Sequence, residues 1–340
     1  MNEPVFPNGK LPHDVLTELI GNYTHTNQRL IVPPGLGEDA AVIDFGDRYL
    51  VAKTDPITFA TDAVGWYAVH VNANDIAAMG ATPRFFLATI LLPEGRTTRS
   101  MAESIFASIH QAADSLGIAV CGGHTEITYG IDRPIVVGQM LGETTPEQLV
   151  RSSGLQPGDA LILTKGLGIE ATALIAREKS DELIAKGYAE DFITRCSNYL
   201  ENPGISVVRD AQIAAQAARL HAMHDPTEGG VATGLFELAT ASDVGLEIDA
   251  EALFISEESA RLCSEFALDP LGVISSGALL IGCAAQDANA VIAALERQNI
   301  RAQKIASAKT SDFGLVLNRG GQTATLPQFA ADEIIRLFED

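Results

Sequence analysis

The sequence predicts a two-domain protein of mixed helices and strands, and three observations support this fold class. The chain has 340 residues, whereas a single domain usually has about 100 to 200. Apolar residues make up 46% of the chain, which is enough for two hydrophobic cores. Hydrophobic patterns with helical spacing are also interspersed with short strand-like runs. A disordered or fibrous protein is therefore excluded.

The first half predicts a leading helix and then the element order β-β-α-β-α-β-β. The leading helix covers residues 12–20 and ends at Gly21. Two short apolar runs, 40–45 and 49–53, have the spacing of a hairpin. The other predicted elements are helices over 65–79 and 97–116 and strands over 84–92, 118–121 and 134–141.

A turn-rich stretch over residues 152–159 predicts a domain boundary, which we place near residue 153. The two domains would then cover residues 1–153 and 154–340. The elements predicted after the boundary are strands over 160–164, 278–283 and 300–306, and helices after 168, within 181–196, over 205–219, after 230, over 287–298 and from 330.

The acidic composition limits the partners that we expect. Lysine and arginine number 23 against 44 acidic residues, and the formal net charge is −21. We therefore expect no nucleic-acid partner, because such binding depends on clustered positive charge. A nucleotide triphosphate would be repelled unless divalent cations bridged it to the protein.

The expected compartment is the cytoplasm. The four cysteines are scattered and form no C-x-x-C pair, which is typical of buried thiols in a reducing environment. The N-terminus shows neither a basic start nor an apolar leader, and no uncharged apolar stretch reaches about 18 residues. We expect no membrane partner either.

Carboxylates at two points in the first half are candidate metal ligands. Glu38 and Asp39 follow Gly37 at the start of a predicted strand, and hard oxygen ligands on such a loop suit Mg²⁺. Asp55 ends the neighbouring strand and could converge on the same ion, and Lys53 before it could contact a phosphate. Ordinary polar turns at strand ends would leave the same pattern, and this alternative stays open.

Polar residues also interrupt the predicted helix over 65–79. Asn72, Asn74 and Asp75 stand among alanine, valine and isoleucine, although asparagine and aspartate are poor residues for a helix interior. They form either a solvated face or part of a site. Their bunching within four residues favours the site.

A third candidate motif follows the predicted strand over 118–121. It combines two glycines with three polar side chains, namely Gly122, Gly123, His124, Thr125 and Glu126. The glycines would allow a ligand to approach the backbone closely. A cysteine and a histidine here lack a second pair to complete a zinc site. A phosphate or metal contact through His124 or Glu126 is therefore favoured.

Two glycine-containing turns in the second half precede predicted helices. Residues 166–171 match the dinucleotide pattern G-x-G-x-x-A, but no strand ending in an acid follows about 20 residues later. The backbone amides of this turn could still bind an anion at the helix start. At the other turn, His224 and Asp225 precede two glycines, where we expect anion or substrate binding rather than capping alone.

Eight segments, taken in order, resemble the aminoimidazole-ribonucleotide (AIR) synthetase-like superfamily of ATP-using enzymes over nearly the whole chain. They are GLGEDAAVI, KTDPI, VNANDIAAMGATP, CGGHTEI, TKGLGIEATALIA, HDPTEGGVATGLFELA, SSGALLIG and ADEIIRLF. The resemblance implies an N-terminal α+β domain whose strands join those of a second subunit in a dimeric β-barrel. It also implies a C-terminal α+β domain that closes over ATP and Mg²⁺ in the cleft of a homodimer.

The matching motifs carry the superfamily's site residues to positions in this sequence. Asp39, Asp55 and Asp75 would be the metal and phosphate ligands, and Asp55, Asp75 and His124 are the candidate catalytic residues. His124 stands where relatives usually carry aspartate, which favours a phosphate contact there. The candidate nucleotide contacts are Gly37, Glu38, Lys53, Asn74, Gly122, Gly123, Thr125, Glu126 and Asp225.

Among the branches of the superfamily, HDPTEGGVATGLFE and the SSG strand look most like the hydrogenase maturation factor HypE, a carbamoyl dehydratase. That factor ends in a cysteine that accepts the carbamoyl group, whereas this sequence ends in Leu-Phe-Glu-Asp. We therefore expect the thiocarbamate chemistry to be absent.

The function expected from the motifs is an ATP- and Mg²⁺-dependent reaction that phosphorylates or activates an oxygen of an unknown small substrate. Two alternatives stay open. One is a non-catalytic nucleotide-binding maturation or assembly factor. The other is a small-molecule kinase that resembles thiamine-monophosphate kinase.

Overall fold

The computed structural model describes residue 6 and residues 10–25, 27–35 and 37–338. Within these residues the chain forms ten α-helices and thirteen β-strands, arranged around one sheet in each half. The predicted two-domain combination of helices and strands is therefore confirmed. None of the helices in this part of the chain has both the length and the apolar character needed to cross a bilayer.

The first half is built on a six-stranded sheet. Its elements are α1 (His13–Tyr23), β1 (Leu30–Val32), β2 (Ala41–Asp44), β3 (Tyr49–Ile57), α2 (Val64–Ala78), β4 (Thr82–Pro93), α3 (Arg99–Leu116), β5 (Ala119–Thr128) and β6 (Ile135–Thr144). The strand order is β1-β2-β3-β6-β4-β5. Only β4 and β5 run parallel; the other neighbours are antiparallel.

Helix α2 packs between the sheet and α3 and is buried on nearly all sides. Seven of its fifteen residues are alanine or valine, and a helix that is apolar on nearly all sides belongs in a core. Gly65 allows close contact with α3, because a Cβ there would lie 2.7 Å from the carbonyl oxygen of Ile105. The helix thereby buries four polar or ionisable residues, namely His70, Asn72, Asn74 and Asp75.

The second half is built on a seven-stranded sheet. Its elements are β7 (Asp159–Thr164), α4 (Ile169–Glu178), α5 (Ser180–Ala185), α6 (Glu190–Ser197), α7 (Val208–Ala217), β8 (Leu220–His224), α8 (Gly230–Ser242), β9 (Val244–Asp249), α9 (Glu257–Glu265), β10 (Leu280–Ala284), α10 (Ala288–Glu296), β11 (Ala302–Thr310), β12 (Leu315–Arg319) and β13 (Gln322–Thr325). The strand order is β13-β12-β9-β11-β7-β10-β8. Only β12 and β9 run parallel.

The two halves share part of their hydrophobic core. Helix α2 contacts both α7 and β8, and one continuous apolar cluster contains Ile76 from the first half and Ile205 from the second. Side chains at the end of α2 therefore lie close to residues of the second half.

Several predicted boundaries in the first half are wrong, and strand β3 runs to Ile57 and not to Lys53. Helix α1 continues through Gly21 to Tyr23, because a single glycine inside a helix costs only about 1 kcal/mol and need not end it. Strand β5 continues through Gly122 and Gly123 to Thr128. A Cβ at position 123 would lie 2.0 Å from the carbonyl oxygen of Ala88. This glycine therefore allows close packing of β5 against β4.

Sequence patterns missed the shortest elements. Strands β1, β8, β9, β12 and β13 have between three and six residues, which is too short for a clear period of two. Helix α9 was also missed. The expected terminal helix from Ala330 is a short 3₁₀ helix, Glu333–Leu337.

The sheet of the first half is open within the described residues. Strand β5 pairs with β4 on one side only and forms the edge of the sheet. The α+β content is thus confirmed for each half, whereas the dimeric barrel stays a prediction.

Candidate active site

A cavity of about 730 Å³ lies where the two halves meet. Residues of α1, the β1–β2 loop and β3 line one side, and residues that follow β8 line the other. The polar and charged residues around it include Lys10, His13, Glu38, Asp39, Lys53, Asp55, Asp75, His224, Asp225, Thr227, Glu228 and Glu237. The cavity therefore collects charged side chains that are more than two hundred residues apart in the sequence.

Three buried carboxylates meet in this cavity. Asp39, Asp75 and Asp225 each place one oxygen so that all three atoms lie within 4.8 Å of one another. The three residues are 6%, 4% and 2% exposed. Asp75 Oδ2 and both carboxylate oxygens of Asp225 have no hydrogen-bond partner among the described residues. We call these three residues the acidic cluster.

The acidic cluster depends on three separate elements. Asp39 precedes β2, Asp75 lies in the last turn of α2, and Asp225 follows β8. Each element is fixed by burial in the core, so the carboxylates meet because the two halves pack together. This arrangement is unfavourable without a cation, because like charges a few ångströms apart repel in a buried site.

Burial is the main reason why the cluster favours protons or cations. It raises the pKa of Asp75 well above its usual range, and the charges of Asp55 and Asp39 raise it further. Burial likewise raises the pKa of Asp225, with added repulsion from Asp75 and Asp39. A divalent ion at the cluster would stabilise both carboxylates in their charged form.

His224 holds Asp39 in place. Its Nδ1 lies 2.5 Å from Asp39 Oδ1, and its Nε2 lies 3.1 Å from Glu237 Oε2. Burial alone would lower the pKa of His224, but the two carboxylates raise it well above its usual range. The imidazole is therefore protonated and donates a hydrogen bond from each nitrogen. Ser152 donates a further hydrogen bond to Asp39 Oδ2 at 3.2 Å.

Lys53 is a second cation beside the acidic cluster. Its Nζ lies 3.0 Å from Asp75 Oδ1 and 3.3 Å from Asp55 Oδ2. Burial alone would lower the pKa of this ammonium, but Asp75, Asp55 and Asp39 raise it well above its usual range. Lys53 is therefore charged, and burial also raises the pKa of Asp55 beside it.

Seven of the predicted site residues line this one cavity. They are Gly37, Glu38, Asp39, Lys53, Asp55, Asp75 and Asp225. Glu38 Oε1 accepts a hydrogen bond from Ser153 at 2.6 Å, whereas its Oε2 has no partner among the described residues. Their roles as ligands stay a prediction, although the structure places them together.

Asn74 does not line the cavity. Its Nδ2 donates to the carbonyl oxygen of Ile205 at 2.8 Å, and its Oδ1 accepts from the N–H of Val207 at 2.8 Å. The side chain is completely buried. The predicted nucleotide contact is therefore not supported, because the amide already joins α2 to the backbone just before α7.

The motif on β5 also lies away from the cavity of the single chain. Gly122, Gly123, His124, Thr125 and Glu126 are exposed on the edge strand. His124 Nε2 lies 3.0 Å from Glu126 Oε2, and the two side chains are 64% and 49% exposed. These residues are not brought to the acidic cluster, because the strand follows β4 along the open edge of the sheet.

The turn that matches a dinucleotide motif is already occupied by protein groups. The N–H of Gly168 donates to Ser275 Oγ at 3.3 Å, and the N–H of Ala171 donates to the carbonyl oxygen of Ile274 at 3.3 Å. The proposed anion contact at this helix start is therefore not supported.

Several charged residues that line the cavity were not predicted as site residues from the sequence. Lys10 Nζ lies 3.2 Å from Glu228 Oε2, and His13 Nε2 lies 3.7 Å from Glu237 Oε1. Glu228 follows Asp225 by three residues, so the turn itself was a usable signal. Glu237 stands inside α8 at an ordinary helical position, and no local pattern distinguishes it.

Glu170, at the start of α4, predicts a pH dependence of stability. Burial, together with the charges of Glu228 and Asp332, raises its pKa to about 8 from an ordinary 4.5. The folded protein keeps this proton where the unfolded chain has lost it, so stability falls as the pH rises from about 4.5 to about 8. We expect Glu170→Gln to be more stable than the parent by about 4 kcal/mol at pH 8, and by about 1 kcal/mol at pH 5.

Urea unfolding of the parent and of Glu170→Gln at pH 5 and pH 8 measures this difference. Glu182→Gln, on the exposed surface of α5, is the matched control and should show little change with pH. An equal gap between parent and Glu170→Gln at both pH values would contradict the expected ionisation.

Comparisons of sequence and structure identify the family. The sequence matches the N-terminal domain of the AIR synthase related proteins over residues 37–144 and their C-terminal domain over residues 156–317. Carbamoyl dehydratase HypE of Rhizobium leguminosarum bv. viciae is 30% identical over 277 residues, which cover 78% of this chain and 75% of that protein.

Two solved structures share the fold. Hydrogenase maturation protein HypE in complex with ATP has a TM-score of 0.72 at 22% identity and covers 93% of this chain and 91% of that chain. ThiL complexed with AMPPCP and TMP has a TM-score of 0.70 at 21% identity and covers 94% of both chains. The resemblance inferred from the motifs is thus confirmed, and the chain belongs to the AIR synthase related protein family.

Proposed function

We propose that this protein is an ATP- and Mg²⁺-dependent enzyme that phosphorylates, or activates with ATP, an oxygen atom of a small substrate. The observation that carries the proposal is the acidic cluster, with its three buried carboxylates in a cavity between two domains. The similarity to HypE, which is named a carbamoyl dehydratase and has a structure with ATP, supports an enzyme rather than a binding module.

The donor set of the acidic cluster suits Mg²⁺. This ion prefers oxygen ligands and is usually held by one or two carboxylates together with phosphates. Asp75 and Asp225 have oxygens without partners for this purpose, whereas Asp39 is held in position by His224. When bound, Mg²⁺ would offset the negative charge of ATP, which supplies the phosphoryl group.

The chain's own side chains would orient the reactants. Lys53 is charged and held between Asp75 and Asp55, so it can offer its ammonium to a phosphate at the mouth of the cluster. Asp55 is the more exposed of these two acids and lines the same cavity. We assign Asp55 to the acceptor side, where its carboxylate can accept the proton of an attacking hydroxyl group.

We assign a separate role to each of the two predicted domains. Residues 1–153 would bind ATP and Mg²⁺ and form the dimer, and residues 154–340 would close the nucleotide cleft. The position of Asp225 supports this division, because the second half completes an acidic cluster that the first half begins.

A second copy of the chain would pair along β5. Val120 and Ile127 on this edge strand are 48% and 60% exposed, and an unpaired edge with apolar side chains favours strand pairing. Such pairing would extend the open sheet toward the dimeric barrel that the resemblance implies. The polar motif at 122–126 would then lie within the dimer.

A charged residue on this edge is expected to prevent dimer formation. Ile127→Lys should convert the dimer to a monomer, because a buried ammonium without a partner opposes association. Light scattering after size-exclusion chromatography measures the change in mass. Phe313→Lys, at an exposed apolar residue of the second half, is the control and should stay dimeric. A dimeric Ile127→Lys variant would contradict pairing through β5.

The direct test of the proposed function is release of ADP. The protein is incubated with ATP and Mg²⁺ and a panel of small hydroxyl-, carboxamide- and carboxylate-containing metabolites. We expect at least one compound to stimulate ADP release well above the level without it. Saturable binding of ATP with no turnover on any compound would favour a non-catalytic nucleotide-binding assembly factor instead.

A further inference from the structure

A second, smaller pocket of about 40 Å³ adjoins the cavity of the acidic cluster. The two spaces share Asp55, Pro56, Thr58, Phe59, Thr227 and Glu228 in their walls. The rest of the smaller pocket is formed by residues 57 and 60, by α2, by α4 and by the segment 274–276. It is therefore a side pocket of the larger cavity and is contributed by both domains.

Three buried polar side chains line this side pocket without partners. Tyr67, Glu170 and Ser276 are 1%, 5% and 1% exposed. Tyr67 Oη, Glu170 Oε2 and Ser276 Oγ make no hydrogen bond of full geometry among the described residues, although Ser276 lies close to the Glu170 carboxyl. A buried polar group left without a partner costs about 1 to 3 kcal/mol. Three such groups around one space indicate that a ligand or ordered water satisfies them.

The chemistry of these groups selects an uncharged ligand. Among the described residues, no lysine, arginine or histidine lines the side pocket. The acids at its shared edge are already paired, Asp55 with Lys53 and Glu228 with Lys10. An anionic group would therefore lack a positive partner, and Glu170 is the acid of this pocket that has no ionic partner.

The protonation states of Glu170 and Tyr67 also favour an uncharged ligand. Burial raises the pKa of Glu170 to about 8, and burial and the charge of Glu170 raise the pKa of Tyr67 well above its usual range. At neutral pH the pocket thus offers one carboxyl and two hydroxyl groups, all of which can donate and accept hydrogen bonds.

We propose that the side pocket formed by Tyr67, Glu170 and Ser276 holds the uncharged head of the acceptor substrate, a carboxamide or a hydroxyl group. This inference rests on the proposed function, because it places the acceptor beside the site assigned to ATP. The small volume limits the head to a few non-hydrogen atoms. The rest of the substrate would lie in the larger cavity.

Ligand-observed NMR titrations of the full chain with formamide, methanol and formate test the assignment. Formamide and formate have nearly the same shape and differ in charge, and methanol represents a hydroxyl group. We expect formamide or methanol to bind at least tenfold more tightly than formate. The tighter of the two neutral probes identifies which head the pocket prefers. Formate binding as tightly as both neutral probes would overturn the proposal.

Substitutions in the side pocket test whether the neutral probe binds there. Tyr67→Phe removes one hydroxyl group, and Glu170→Leu removes the carboxyl group. Each should weaken the preferred neutral probe about tenfold, which corresponds to about 1.4 kcal/mol. Glu170→Gln keeps a donor and an acceptor and should retain binding, and Glu182→Gln is the exposed control. Unchanged binding in both Tyr67→Phe and Glu170→Leu would overturn the proposal.

Calorimetry with ATP and Mg²⁺ on the same parent protein distinguishes failure of the side-pocket assignment from failure of the proposed function. Uptake of ATP with no preference for a neutral probe would overturn the side-pocket assignment alone. Absence of ATP uptake would overturn the proposed function, and the acceptor assignment would fall with it.

Discussion

Asp75→Asn is expected to lower the rate of ATP turnover by about 10²- to 10³-fold, the size of effect seen when one group that stabilises developing charge is removed. Asparagine has the same shape but cannot supply the negative charge that a divalent ion requires. The melting temperature should change little, because the substitution weakens the ion pair with Lys53 but also relieves repulsion within the acidic cluster. Steady-state ADP release and thermal unfolding measure the two effects.

Asp210→Asn is the matched control for this variant. Asp210 is 2% exposed and lies 3.2 Å from Lys165 Nζ, much as Asp75 lies 3.0 Å from Lys53 Nζ. Asp210 does not line the cavity. We expect Asp210→Asn to lower stability, because it weakens a buried ion pair, and to keep its turnover per folded molecule. Equal turnover in the parent and Asp75→Asn would contradict the assigned role of the acidic cluster.

Asn74→Ala is expected to lower the free energy of unfolding by about 2 to 5 kcal/mol, because it leaves two buried backbone groups without partners. These groups are the carbonyl oxygen of Ile205 and the N–H of Val207. Urea denaturation measures the loss. Asn289→Ala, at an exposed position of α10, should change stability little.

The same variant decides between the two roles considered for Asn74. If this side chain joins the domains, Asn74→Ala is destabilised and still binds ATP once folded. Parent-like stability together with a large loss of ATP affinity would instead restore the nucleotide contact that the motif predicts.

Local sequence patterns predicted which acidic residues belong to the site, but they did not predict which of them form the acidic cluster. Glu38, Asp39 and Asp55 were recognisable as oxygen donors near the ends of neighbouring strands, and Asp75 was recognisable because aspartate is unusual inside an apolar helix. Asp225 was recognised only as a ligand contact, although the structure places it in the acidic cluster. It lies 150 residues after Asp75, and only the packing of the two halves brings them together.

Local patterns also could not separate a ligand contact from a structural one. Asn74 was selected because polar residues were bunched in α2, yet the same bunching serves a hydrogen bond to a distant backbone segment. Gly123 suggested the close approach of a ligand, whereas it is the close approach of Ala88 that requires glycine inside this strand. In both cases the deciding partner lies far away in the sequence or on a neighbouring strand.

Isothermal titration calorimetry of ATP, with Mg²⁺ and then with EDTA, tests the central claim most directly. A strongly acidic protein that holds ATP through a divalent ion should show saturable binding with Mg²⁺. The affinity should be at least about 100-fold lower in EDTA, because the phosphates then face uncompensated carboxylates. Equal affinity under both conditions would contradict the account.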